Sequence, residues 1–179
     1  MGDFDFSVIL DNLPFLIEGL GMAFLLTLLA IAGGLALGTL LALARLSGFA
    51  PLSMVAAAYT NFFRSLPLIL VIFWFYFLVP LILGRPVGGF YSVLVAFILF
   101  EAAYYSEIIR AGISSVSSGQ VAAARALGMS YWQTMGDVVL PQAFRAMTPV
   151  LLTQAIILFQ DTSLVYVVGL KDFLVSAEL

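Results

Sequence analysis

The sequence has no cysteine and no histidine, and its one lysine, Lys171, is followed by Asp172. Without cysteine there is no thiolate metal site, no thiol nucleophile and no disulfide framework. Without histidine the usual general base near neutral pH is missing. A phosphate-cradling GxxxxGKS/T loop cannot be built from this lysine, so the chain offers no P-loop for ATP. Charge is scarce as well. Only 9% of residues are charged, against roughly 25% in soluble domains. What fills the chain instead is apolar, 63% of 179 residues, and that leaves too little polar surface for water. The class is an all-α polytopic membrane protein, with lipid as a partner and no nucleic acid. The formal net charge of -3 says little, because the placement of charge matters more than its sum.

A helix needs about 20 apolar residues to cross the hydrocarbon core. Gly19 to Ala44 is uncharged for 26 residues and is the clearest span. It contains Gly34-x-x-x-Gly38, a small-residue pattern that permits close helix approach but recurs by chance in Gly/Ala-rich runs. The second span centres on Pro67 to Leu83, with "PLSMVAAAYTNFFRS" extending the helix below the membrane and Pro67 as a kink. A third starts near Phe90 and must carry Glu101 across. The fourth runs from about Ala146 to Phe159, with Pro149 inside it. The acidic opening, "MGDFDFSVILDNLPFLIEGL", lacks the basic start of a secretory signal and reads as a retained span. Arg45, Arg64, Arg110, Arg125 and Arg145 fall on one side of this arrangement, Arg85 and Lys171 on the other. The positive side is cytoplasmic, so the N-terminus is outside. After four spans the segment "LVYVVGLKDFLVSAEL" is too short and broken to cross again.

The long cytoplasmic connection, residues 117–141, is small, Ala-rich and punctuated by glycine. Ser117 with Gln120, and Ser130 with Gln133, have capping-box spacing, and Gly128 suits a left-handed stop. This predicts a short helix over Ser118 to Leu127 and a second carrying Tyr131, Trp132 and Met135, with Pro141 marking entry to the fourth span. Helices this short are unstable alone and must dock. Either Tyr131 and Trp132 pin the loop at the headgroups, or it is a docking knob for a soluble partner.

"AAARALGMSYWQTMGDVVLP" resembles the cytoplasmic EAA loop of ABC-importer permeases: Glu-Ala-Ala, three residues, Gly, nine residues, an aliphatic, one more, then Leu-Pro. Ala123, Ala124, Gly128, Val138, Leu140 and Pro141 fall on that pattern, and Ala122 stands where the motif has glutamate. "NFFRSLPLIL" and "GISSVSSGQ" resemble the branch that imports polar amino acids, and "FEAAYYSEIIRAGI" and "LFQDTSLVYV" look most like the glutamate/aspartate system. The resemblance implies a type I importer-like permease domain over residues 1–179, in the bacterial cytoplasmic membrane. A fifth span usual in that branch is expected to be missing at the C-terminus. It further implies coupling to an ATPase through Ala122, Ala123, Ala124, Arg125, Gly128, Leu140 and Pro141. Partners would be ATPase subunits that hold ATP and Mg, a second permease subunit, identical or related, and an extracytoplasmic amino-acid-binding protein. The chain itself would be no enzyme and bind no cofactor.

Candidates for the substrate path are polar groups inside or beside spans. Glu101, near the middle of the third span, is either functional or hydrogen-bonded to a neighbouring helix, since burying its charge unpaired costs several kcal/mol. Glu107 and Arg110 have the spacing of a pair on one helix face. Arg64 either satisfies the positive-inside bias or meets a substrate carboxylate. In Gln160, Asp161, Thr162 and Ser163, Asp161 or Thr162 either caps a following helix, or the helix start attracts a carboxylate. In the resembling branch the position of Gln160 is often lysine. The expected function is inward movement of polar amino acids, glutamate or aspartate foremost. Its rivals are an ion-coupled secondary carrier using Glu101 and Asp161, and a purely structural membrane protein.

Overall fold

The computed structural model describes residues 13–169. The acidic N-terminal tail, Lys171 and the end of the amphipathic tail lie outside the described residues. All elements among them are helices. α1 spans Leu13–Leu46, α2 Ala50–Arg64, α3 Leu68–Leu83, α4 Gly89–Ser114 and α5 Ser118–Ala126. α6 covers residues 131–161 and passes directly into a 3-10 turn, Thr162–Val168. Among the described residues three helices are long and apolar enough to cross a membrane, and four spans result if the bent pair α2 and α3 counts as one.

α4 is the central element, packed against α1, α2 and α6. Its closest neighbour is α1, and glycine is the reason. A Cβ placed on Gly38 would lie 2.8 Å from the Tyr105 Cβ and 2.9 Å from the Ala102 carbonyl oxygen; one on Gly34 would lie 3.0 Å from the Glu101 Cβ. The Gly34-x-x-x-Gly38 pattern is therefore a true helix-contact stripe, with backbone against backbone as small residues permit in lipid. Leu26, Ala30, Val93, Phe97, Leu158 and Val165 complete a buried core between α1, α4, α6 and the 3-10 turn.

Prolines shape the rest in two ways. At Pro67 the chain breaks outright: α2 and α3 meet at 103°, not at the gentle kink the sequence suggests. Proline lacks an N–H and disfavours helical geometry at the preceding residue, and Pro67 adopts an extended conformation with ψ 138°. α2 is packed into the bundle rather than standing apart from it. The Tyr59 hydroxyl donates to the Leu99 carbonyl in mid-α4 at 2.7 Å, and Thr60 is fully buried. Pro80 and Pro141 behave differently. Each follows a widened helical stretch, Trp74–Leu78 and Thr134–Val139, that ends two residues before it. Widening to i→i+5 bonding makes room for a proline without ending the helix. Pro141 thus marks no break, and the second short helix is the first turn of α6.

Gly38→Ala should lower the thermal stability of the detergent-solubilised protein by about 1–3 kcal/mol through overpacking. Gly21→Ala, where a Cβ meets nothing within 4 Å, should leave it unchanged or slightly raised. Fluorescence-detected size-exclusion after heating reads both.

Candidate functional site

Two regions gather the residues singled out by sequence. The first is the 117–141 segment. The Ser117 hydroxyl accepts from the Gly119 amide rather than forming a reciprocal box with Gln120. At Ser130 the full reciprocal box is present: its hydroxyl accepts from the Gln133 amide and the Gln133 carboxamide oxygen accepts from the Ser130 amide. Between them Gly128 has φ +82°, a left-handed position that any other residue enters only at a cost of ~1–2 kcal/mol. The Met129 amide reaches back to the Ala124 carbonyl at 3.1 Å, closing the turn.

α5 is held against α6 by two contacts. Ala124, only 4% exposed, faces inward, where α5 meets the widened stretch Thr134–Val139. The Gln142 carboxamide donates both to the Gln120 side-chain oxygen and to the Val138 carbonyl. Ala122, Ala123, Arg125 and Gly128 are exposed, as is Pro141, while Leu140 is half-buried. Leu127 and Trp132, 84% and 80% exposed, project from the same segment. The sequence placed Ala124 with the docking residues; the structure turns it to the inside as a spacer.

The second region is a cleft of about 500 Å³ within the helical bundle, lined among others by Pro67, Leu68, Phe100, Tyr104, Gln154 and Asp161. Asp161 is there, half-buried. Glu101 is not. It is 0% exposed and sits one layer behind, accepting from the Gln154 Nε2 with both carboxylate oxygens at 3.1 Å. This is the interhelical hydrogen bond that was one of its two readings. Arg64 lies over the Tyr104 ring, 5.5 Å from its centroid, and Tyr104 lines the cleft. The end of α2 carries Arg64 some fifteen residues, about 22 Å of helix, from the bend after α1. Its guanidinium thus stacks on a residue of the cleft wall without lining the cleft itself.

The remaining members of "QDTS" divide. Gln160 is exposed, Ser163 half-buried and Thr162 buried. Neither Asp161 nor Thr162 starts a new helix. The Thr162 hydroxyl donates back to the Phe159 carbonyl at 2.7 Å, and the chain continues directly from α-helix into the 3-10 turn. The capping and helix-start readings are both set aside by that continuity. Gln154 went unnoticed in the sequence. Its signal was a lone carboxamide seven residues, two helical turns, before Asp161, which places both on one face.

Glu107 and Arg110 pair as their spacing suggests, and Arg45 at the end of α1 joins them. The carboxylate thus ties α1 to α4 at the end of the bundle that leads into α5.

A family model for the inner membrane component of binding-protein-dependent transport systems matches residues 34–179. The chain is 54% identical to the glutamate/aspartate import permease protein GltK of Escherichia coli O157:H7, covering 99% of this chain and 82% of that protein. It is 40% identical to the arginine transport system permease protein ArtQ of Bacillus subtilis, over 94% and 77% of the two chains. Among solved structures, an amino acid ABC transporter crystallised with histidines matches with a TM-score of 0.89 at 32% identity, over 99% of this chain and 81% of that one. An inward-facing MetNI methionine ABC transporter shares the fold, with a TM-score of 0.67 at 24% identity over 88% and 76%.

Glu107→Gln should weaken both arginine contacts and lower stability by about 1.5–3 kcal/mol, the range for hydrogen bonds to charged groups. Arg45→Ala with Glu107→Ala should cost less than the sum of the single changes, because the two share one interaction. Thermal unfolding of the four proteins closes the cycle.

Proposed function

The chain belongs to the family of inner membrane components of binding-protein-dependent transport systems, and from that premise we propose that it is the permease subunit of an ATP-driven importer carrying polar amino acids, glutamate and aspartate foremost, inward across the bacterial cytoplasmic membrane. The observation that carries the reading is 54% identity over nearly the whole chain to a glutamate/aspartate import permease. The likeness to an amino acid ABC transporter supports the same reading.

In this proposal residues 1–179 form one permease domain and the 117–141 segment is its joint with a separate ATPase that holds ATP and Mg. The exposed face of Ala122, Ala123, Arg125 and Leu127 docks, while Gly128 sets the angle between α5 and α6. Leu140 and Pro141 lie where that segment runs on into the span. Closure of the ATPases would move the segment, and α6 would carry the motion to the cleft without a hinge between them. Substrate would then meet alternate sides through a shift between two states. Glu101, Arg64 and Asp161 belong to the path or its wall, with Gln160, Thr162 and Ser163 at its margin. One chain of four spans does not enclose a path, so a second permease subunit, identical or related, completes it, and an extracytoplasmic binding protein supplies the amino acid. The ion-coupled alternative needs Glu101 and Asp161 in one site, whereas Glu101 is sealed behind Gln154.

The absence of cysteine makes single thiols specific probes. Leu127→Cys and Ala123→Cys, crosslinked in native membranes, should capture the ATPase subunit. Buried Ala124→Cys should react little. Capture of lipid-side adducts alone would remove the docking role. Gly128→Val should abolish ATP-dependent glutamate uptake while membrane insertion stays normal. Uptake that persists without ATP and follows an ion gradient would instead establish the carrier.

A further inference from the structure

Among the described residues Glu101 is the one acid buried completely in the core, and there it neither lines the cleft nor pairs with a cation. Its partner is Gln154, 9% exposed, which does line the cleft. The Gln154 Nε2 stands 3.1 Å from both carboxylate oxygens. A carboxylate only accepts, whereas a carboxamide has one accepting and one donating end. With Glu101 ionised, the amide presents its NH2 to the carboxylate, and its carbonyl oxygen is the end left for the cleft. Two turns on, Asp161 lines the same cleft. The α6 wall therefore offers two acceptors in register, a carbonyl and a carboxylate. On the α4 side of the cleft, Tyr104 carries Arg64 over its ring. A cleft with two acceptors in register on one wall suits a ligand with an ammonium group.

We propose that Glu101 is a positioning residue that fixes the Gln154 carboxamide with its oxygen toward the cleft, so that Gln154 and Asp161 together select substrates bearing an α-ammonium group. The proposal rests on the permease reading and deepens it: the selected feature is the amine shared by amino acids. Glu101 reaches the substrate only through Gln154. Glu101 itself sits close against α1, where a Cβ on Gly34 would lie 3.0 Å from its own.

The test uses the complete permease–ATPase complex in nanodiscs, without binding protein, whose own selectivity would mask the cleft. The readout is the ratio of affinities for glutamate and for glutarate, the same dicarboxylate without the ammonium. The unmodified complex should favour glutamate by at least about tenfold, the worth of one hydrogen bond to a charged group. In Glu101→Gln the facing amide can donate as well as accept, Gln154 turns either way, and the ratio should drop several-fold. The exchange Glu101→Gln with Gln154→Glu keeps the hydrogen bond and restores an acceptor to the cleft, so the preference should return. A purely structural glutamate would weaken both ligands together and leave the ratio unmoved in Glu101→Gln; that result overturns the proposal, as does a double exchange that fails to recover preference. ATP-driven glutamate uptake by the unmodified complex with its binding protein, measured alongside, separates the two levels. Its failure sinks the transport reading, whereas uptake with an unmoved ratio removes only the role of Glu101.

Discussion

The closeness of α1 to α4 is the constraint on which the other features depend. Lipid tails are as apolar as leucine, so helices in a membrane gain nothing by merely hiding apolar surface from one another. They associate where backbones come near enough for dense packing. Gly34 and Gly38 provide that approach, and a side chain at either would collide with α4. Once α1 lies against α4, the Glu101 carboxylate is shut away from lipid on that side and finds its donor on α6 from the other. The same pairing brings Arg45 to Glu107. One contact stripe therefore makes an intramembrane acid tolerable and aligns the ion pairs at the bundle's end.

Continuity of α6 is the second organising fact. Trp132 in the 117–141 segment and Asp161 in the cleft belong to one helix, separated by about 44 Å at 1.5 Å per residue. A proline two residues beyond Val139 would ordinarily end a helix. The widened stretch Thr134–Val139 absorbs it instead. The segment and Gln154 therefore lie on one continuous helix, with no break between them. At Pro67 no such widening occurs, and the sharp break places Pro67 and Leu68 in the wall of the cleft. The two outcomes at proline differ: one keeps a helix continuous and the other opens space.

Local features were legible in the sequence because local chemistry sets them. The capping box at Ser130, the left-handed turn at Gly128 and the extent of α4 around Glu101 follow from short-range spacing. The same holds for the pairing of Glu107 with Arg110. What the sequence withheld was register between helices. Gly34-x-x-x-Gly38 looks identical whether it faces lipid or another backbone. Arg64 has the same identity at the surface or at a cleft, and only the 103° break and the packing of α2 on Leu99 decide its depth. Gln154 carried a readable signal, its two-turn spacing from Asp161, yet nothing in the chain near it announces that Glu101, fifty-three positions earlier, sits behind it. Pro141 was misjudged as a boundary because helix widening leaves no residue signature besides the proline itself.

The alanine at position 122 tests how far shape alone can serve the docking segment. The resembling motif places an acid there, and its loss removes a charge from an exposed position. The joint between α5 and α6 does not use that charge. It is closed by Gln120 with Gln142, by the inward methyl of Ala124, by the Ser130 and Gln133 pair and by the left-handed Gly128. None of these is ionic, so none weakens with salt as exposed ion pairs do. Arg125 alone brings a full charge to the exposed face of α5. The rest of the exposed face of α5 is neutral, and Leu127 follows it as a large, exposed apolar side chain. The left-handed Gly128 fixes how that leucine is presented relative to the long helix α6.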